Sequence, residues 1–146
     1  MGRKLAAGTV VLGGTLVAFL AGPRGPLGGF WRPAPMDIAP AGIEMVGLMA
    51  SGVVEAVAFG AALAVALFGG PLFTRLTVTP GRAATARFTT AWVLGAWWPH
   101  TALHQHVGLR PSALVGIELV FHAGTILAAA ALLWALASGR ATATAS

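Results

Sequence analysis

Residues 112–137 read SALVGIELVFHAGTILAAAALLWALA, and this run decides the fold. It exceeds the roughly 20 apolar residues a helix needs to cross a bilayer core, and its only ionisable groups are Glu118 and His122. Residues 5–22, 43–68 and 88–107 repeat the pattern. The whole chain agrees: only 9% of its 146 residues are charged, against roughly 25% in an average soluble domain, and mean hydropathy is +0.82. The expected fold is an all-α integral membrane protein, a bundle of four transmembrane helices forming one domain over residues 1–146.

Basic residues set the topology. Arg3, Lys4, Arg75, Arg82, Arg87 and Arg140 flank one side of the spans, against Arg24, Arg32 and Arg110 on the other. The positive-inside rule then predicts a multi-pass protein of the cell membrane with both termini cytoplasmic. Arg3 and Lys4 also precede the first span as they would in a secretory signal. A cut after Ala21, however, would put Phe19 where a small residue is wanted, so that span is read as a retained helix. The net charge of +5 is spread over helix ends, which implies no nucleic-acid partner. Phe30, Trp31, Trp97 and Trp98 fall near the outer interface, and Trp92 and Trp134 toward the inner one, as aromatic belts do. The partners expected are the lipid bilayer and either further copies of the chain or a larger membrane complex.

Proline and glycine punctuate the connections, with five prolines between Gly22 and Pro40. Asp37 and Pro40 read as the lead-in to the second helix, and the small, polar tail 138–146 reads as frayed. The two halves echo each other. Gly42-Ile43-Glu44-Met45-Val46 corresponds to Gly116-Ile117-Glu118-Leu119-Val120, and Arg32-Pro33 and Arg110-Pro111 stand upstream of them. Two duplicated helix hairpins in parallel orientation, residues 1–74 and 75–146, would explain this, and so would chance in a chain rich in Gly, Val and Leu. Small residues recur every fourth position at Gly14, Ala18 and Gly22, and at Gly52, Ala56, Gly60 and Ala64, which predicts close helix packing.

Function is carried by the rare polar groups. A charge at mid-bilayer costs about 2.5 to 3.5 kcal/mol even on lenient scales, so Glu44, Glu55, Glu118, His100, His104 and His122 mark a site or a pathway. His100 and His104 are four residues apart, as are Glu118 and His122, so each pair shares one side of its helix. Counted from the outer ends, the set describes a polar funnel with Glu55 deepest. Pro99 cannot donate to the Gly95 carbonyl and should break the helix just before His100. Imidazole with carboxylate suits a transition metal, Cu, Zn, Ni, Co or Fe. His100, His104, Glu118, His122 and Glu44 are the candidate ligands, and Met45 and Met49 are a further pair suited to Cu(I). His106 reads as a plain interfacial histidine.

Three other readings of the same residues stay open. His122 with His100 or His104 could ligate haem b, as in a b-type membrane cytochrome. Glu55 could carry protons in coupled transport, alternating with His122. The chain could instead be a non-catalytic accessory subunit whose polar groups satisfy one another, with Glu118 and His122 as an intrahelical pair. Cysteine is absent, so thiolate chemistry and disulfides are excluded. Ser51 and Ser112 lack a nucleophile-elbow context, and no glycine-rich nucleotide loop is present, so no catalytic residue is assigned.

Overall fold

Glycine and proline set the helix ends, and the apolar runs between them set the lengths. The computed structural model describes residues 2–23, 25–31, 41–108 and 111–137, with only the backbone of Phe30. Every regular element among them is helical. The α-helices are α1 (Arg3–Ala21), α2 (Ile43–Phe68), α3 (Gly70–Leu76), α4 (Pro80–Gly95), α5 (Trp97–Val107), α6 (Pro111–Glu118) and α7 (Gly124–Ala137). A 3₁₀ turn (Gly28–Phe30) follows α1, and a π-helical segment (Leu119–Ala123) joins α6 to α7. Arg24, Arg32, Asp37, Pro40, Arg110 and the tail 138–146 lie outside the described residues.

The punctuation is local chemistry. Gly69 closes α2, and Pro71 sits in the first turn of α3, where its missing N–H leaves no hydrogen bond unmade. Thr79 caps α4, its hydroxyl accepting from the Arg82 N–H at 3.3 Å, with Pro80 in the first position. Gly108 ends α5 at φ +61°, a conformation that favours glycine, and donates its N–H to the His104 carbonyl at 3.0 Å.

Three helices are long and apolar enough to cross a membrane, consistent with a membrane protein: α1, α2 and the continuous run Pro111–Ala137. Their 19, 26 and 27 residues make them about 28 to 40 Å long against a hydrocarbon core of about 30 Å. The fourth apolar stretch, 88–107, is divided between α4 and α5, with an interruption at Ala96. Pro99 is the physical reason, because the Gly95 carbonyl receives no N–H from it. The helix resumes at once, with the His100 N–H donating to the Ala96 carbonyl at 3.1 Å.

The helices pack as a row, α1 on α2, α2 on α4 and α4 on α7, with α3 tucked against α4, and α5 lying between α2 and α6. Arg3 Nη2 donates to the Phe68 carbonyl at 2.7 Å, so the start of α1 meets the end of α2. At the other end of α1, Trp98 Nε1 donates to the Ala18 carbonyl at 3.0 Å. The two segments that echo each other in sequence differ locally. Glu44 stands in the first turn of α2, after a positive-φ Gly42, whereas Glu118 is the last residue of α6.

Burial is the reverse of a water-soluble core. The buried apolar residues are mostly alanines, among them Ala18, Ala56, Ala62, Ala86, Ala102 and Ala135, while Leu12, Ile43, Val54, Ile126 and Leu133 face outward. Lipid tails are as apolar as leucine, so large side chains gain nothing by turning inward and small ones let backbones approach. At the α1–α2 crossing a Cβ on Gly14 would lie 3.0 Å from the Gly60 Cα, and one on Gly60 would run into the Val11 carbonyl and the Thr15 amide. The expected stripes are therefore realised at Gly14, Ala18, Ala56 and Gly60. Gly52 is different, since a side chain there would meet nothing within 4 Å. Gly60→Ile is accordingly expected to lower stability by about 1 to 3 kcal/mol in thermal unfolding in detergent, while Gly52→Ile stays close to wild type.

Candidate functional site

After the interruption at Ala96, α5 packs against α6, and one of its faces meets the junction of α6 with the π segment. His100 and His104, one turn apart on that face, bring their Nε2 atoms to 3.0 Å, one imidazole donating and the other accepting. His104 Nε2 also lies 3.2 Å from Glu118 Oε1. One ligand atom from each of His100, His104 and Glu118 falls within 4.8 Å of the others. Two donors each about 2.0–2.1 Å from a shared ion stand about 2.9 Å apart at a right angle and about 3.4 Å apart at the tetrahedral angle. Separations of 3.0 and 3.2 Å lie inside that interval.

Glu118 is held from behind. Its Oε2 is in contact with His122 Nδ1, leaving Oε1 toward His104. His122 lies within the π segment, which inserts an extra residue into a helical turn, a distortion common at functional sites. The His122 ring is 4.9 Å from that of His100, between centroids. Aromatic rings border the group: Phe121 lies 5.3 Å and Trp97 6.3 Å from His100, and Trp92 stacks on Phe121 at 6.0 Å. A groove of about 240 Å³ opens here, lined by Ala96, Trp97, His100, Phe121, His122, Thr125 and Ile126. The site is partly open, with the side chains of His104 and Glu118 exposed by 31% and 45%.

The other face of α5 carries a separate polar contact. Thr101 donates to Glu55 Oε1 at 3.0 Å, across from the middle of α2. Glu55 and Thr101 line a smaller cavity of about 50 Å³ with Gln105, Trp98 and Met49. Glu55 does not join the histidine group. Glu44 does not join it either, being exposed in the first turn of α2, where the helix dipole favours an acid. His106 does more than sit at an interface, because its Nδ1 contacts the Trp31 carbonyl and so fastens the segment after the 3₁₀ turn to α5.

Sequence reasoning found the four residues of the cluster and missed the π segment, for which the run LVFHA carries no distinguishing signal. It also missed the Glu55–Thr101 bond, although an acid deep in an apolar helix requires some such partner. Thr101→Val removes the hydroxyl and keeps the side chain's shape. It is expected to cost about 1 to 3 kcal/mol in thermal unfolding in detergent, whereas Thr101→Ser retains most of the stability.

No family model, curated protein or solved structure matches this chain, so the reading of the site rests on its own chemistry.

Proposed function

We propose that this chain is a small multi-pass membrane protein that binds a transition-metal ion through His100, His104 and Glu118, with His122 completing or bracing the set, and handles that ion in transport or redox use. The observation that carries the proposal is the convergence of donor atoms from two helices, with His104 at metal-compatible separations from both His100 and Glu118 and all three within 4.8 Å. Two imidazoles and a carboxylate form a borderline donor set, suited to Zn, Ni, Co, Cu or Fe(II). The partial exposure of the ligands favours an ion that exchanges over one locked into a closed structural site. Glu55, on α2 and bonded to Thr101 of α5, is the residue proposed to couple proton movement to that exchange.

The same proposal takes the α4–α5 pair as a fourth, broken span and puts both termini in the cytoplasm. Its support is the gathering of basic residues at one end: Arg3 at the end of α2, Arg75 in the last turn of α3, and Arg82 over the Trp134 ring near the end of α7. Haem b is the weaker candidate. Two axial imidazoles across a porphyrin need ring centroids about 6 Å apart, from metal–nitrogen bonds of about 2.0 Å. The His100 and His122 rings, one of the two pairs that could ligate the haem iron, stand at 4.9 Å. The accessory-subunit reading draws on one observation, that the chain from His100 through His104 and Glu118 to His122 is already linked by polar contacts without an ion.

Titration of the detergent-purified full chain with Co²⁺, followed by its visible absorption, is expected to give one ion per chain. His104→Ala and Glu118→Gln should each weaken binding at least about tenfold, as loss of one of three ligands does. Glu44→Gln should leave it unchanged. Binding should weaken as pH falls through the histidine range, because imidazole must be neutral to ligate. In reconstituted vesicles Glu55→Gln should stop metal flux and spare binding. Absence of stoichiometric binding of Co²⁺, Zn²⁺, Ni²⁺, Cu²⁺ or Fe²⁺ would leave the accessory-subunit reading.

A further inference from the structure

The end of the molecule opposite the histidines holds guanidinium groups without an acid to meet them among the described residues. Arg87 Nε and Arg82 Nη1 are buried and have no hydrogen-bond partner among the described residues. Each guanidinium lies on an aromatic face, Arg82 4.4 Å from the Trp134 ring centroid and Arg87 4.4 Å from that of Phe88. Such stacking positions a guanidinium and leaves its N–H groups in need of acceptors. Arg87 also reaches the α2–α3 junction, where a Cβ on Gly70 would lie 3.4 Å from its Nη1, and Arg3 Nη2 bonds the Phe68 carbonyl two residues away.

None of the described carboxylates can answer this charge. Glu55 precedes Phe68 by 13 residues along α2, about 20 Å, and Glu44 lies farther still. Glu118 precedes Trp134 by 16 residues, about 24 Å. Leu72, Leu76, Val78 and Trp134 expose apolar surface at the same end, while Phe73 anchors α3 among Ala83, Ala86 and Ala135. Arg82 and Arg87 are only half-buried, so an acceptor arriving here meets the outer part of each guanidinium and apolar side chains together.

We propose that Arg82 and Arg87, with Arg3 beside them, bind the phosphodiester headgroup of an anionic phospholipid in the leaflet that meets this end, its acyl chains lying against the exposed apolar residues. The proposal rests on the chain's spanning a membrane and is independent of the metal reading. Phosphate oxygens match the planar fork of arginine, and one net negative charge per lipid offsets a surplus that the described residues leave unbalanced. Basic pockets between helices hold lipid headgroups by this combination.

The test is native mass spectrometry of the full chain, released from neutral detergent after equilibration with equal amounts of phosphatidylglycerol and phosphatidylcholine of matched chains. Retention of phosphatidylglycerol is expected to exceed that of phosphatidylcholine by about fivefold per arginine engaged. Arg82→Gln with Arg87→Gln should bring the ratio close to one, and the exposed Lys4→Gln should leave it unchanged. A wild-type ratio near one, or an undiminished ratio in the double variant, overturns the proposal. So does inorganic phosphate at millimolar concentration displacing the lipid, which would make this a site for free anions. Should the double variant fail to fold, Arg87→Lys keeps the charge and removes the planar fork that matches phosphate. It is expected to lower the ratio, and an unchanged ratio would again overturn the lipid site.

Discussion

A polar side chain among apolar helices gains most from a partner that a neighbouring helix supplies, and that constraint organises the half of the molecule around α5. An unpaired polar group in apolar surroundings is costly, so each interhelical contact favours one helix as a neighbour. Glu55 draws Thr101 across from α5 to α2. Glu118 draws His104 from α5 to α6, and Trp98 reaches back from α5 to the Ala18 carbonyl of α1. The short helix after the Ala96 interruption is thus bound to three neighbours by polar contacts, whereas α1, α2, α4 and α7 associate chiefly through small residues. Hydrogen bonds supply direction there, and close backbone packing supplies it elsewhere.

The interruption separates α5 from α4, whose further neighbours are α2, α3 and α7, while α5 contacts α2 and α6. Pro99 removes one N–H from the ladder, and the next hydrogen bond, from His100 to Ala96, restarts the helix immediately. The π segment makes the complementary adjustment on the facing helix. Together they bring three donor atoms within 4.8 Å of one another, although neither helix alone could present more than a pair.

How much of this was legible in the sequence follows from which rules are local. The helical content, the glycine and proline breaks and the pairing of His100 with His104 depend on residues within one turn of each other, and they read directly. The convergence of His104 with Glu118 was legible only as an expectation from the cost of unpaired polar groups, because helix-to-helix register is not written in spacing. Glu44 illustrates the limit. Its sequence context matches that of Glu118 at four of five positions, yet it stands in the first turn of a helix where Glu118 meets a π segment, and it stays outside the cluster. The stretch 88–107 shows a second limit, since Pro99 marks the break but composition does not reveal that α4 then packs on α7 and α5 on α6.

The distribution of charge along the helices completes the argument. The described carboxylates and histidines lie on the part of α2 before Ala56, on α5, and from α6 through the π segment, while Arg3, Lys4, Arg75, Arg82 and Arg87 occupy the opposite end. Mixed along one face, the acids and guanidiniums would neutralise each other as salt bridges and leave neither available. Separated by about 20 Å or more, they cannot. The acids instead keep histidine and hydroxyl partners, and the guanidiniums keep stacked aromatic partners. The described carboxylates and histidines therefore share one end of the molecule and the guanidiniums the other, and the apolar helices between them hold the two apart.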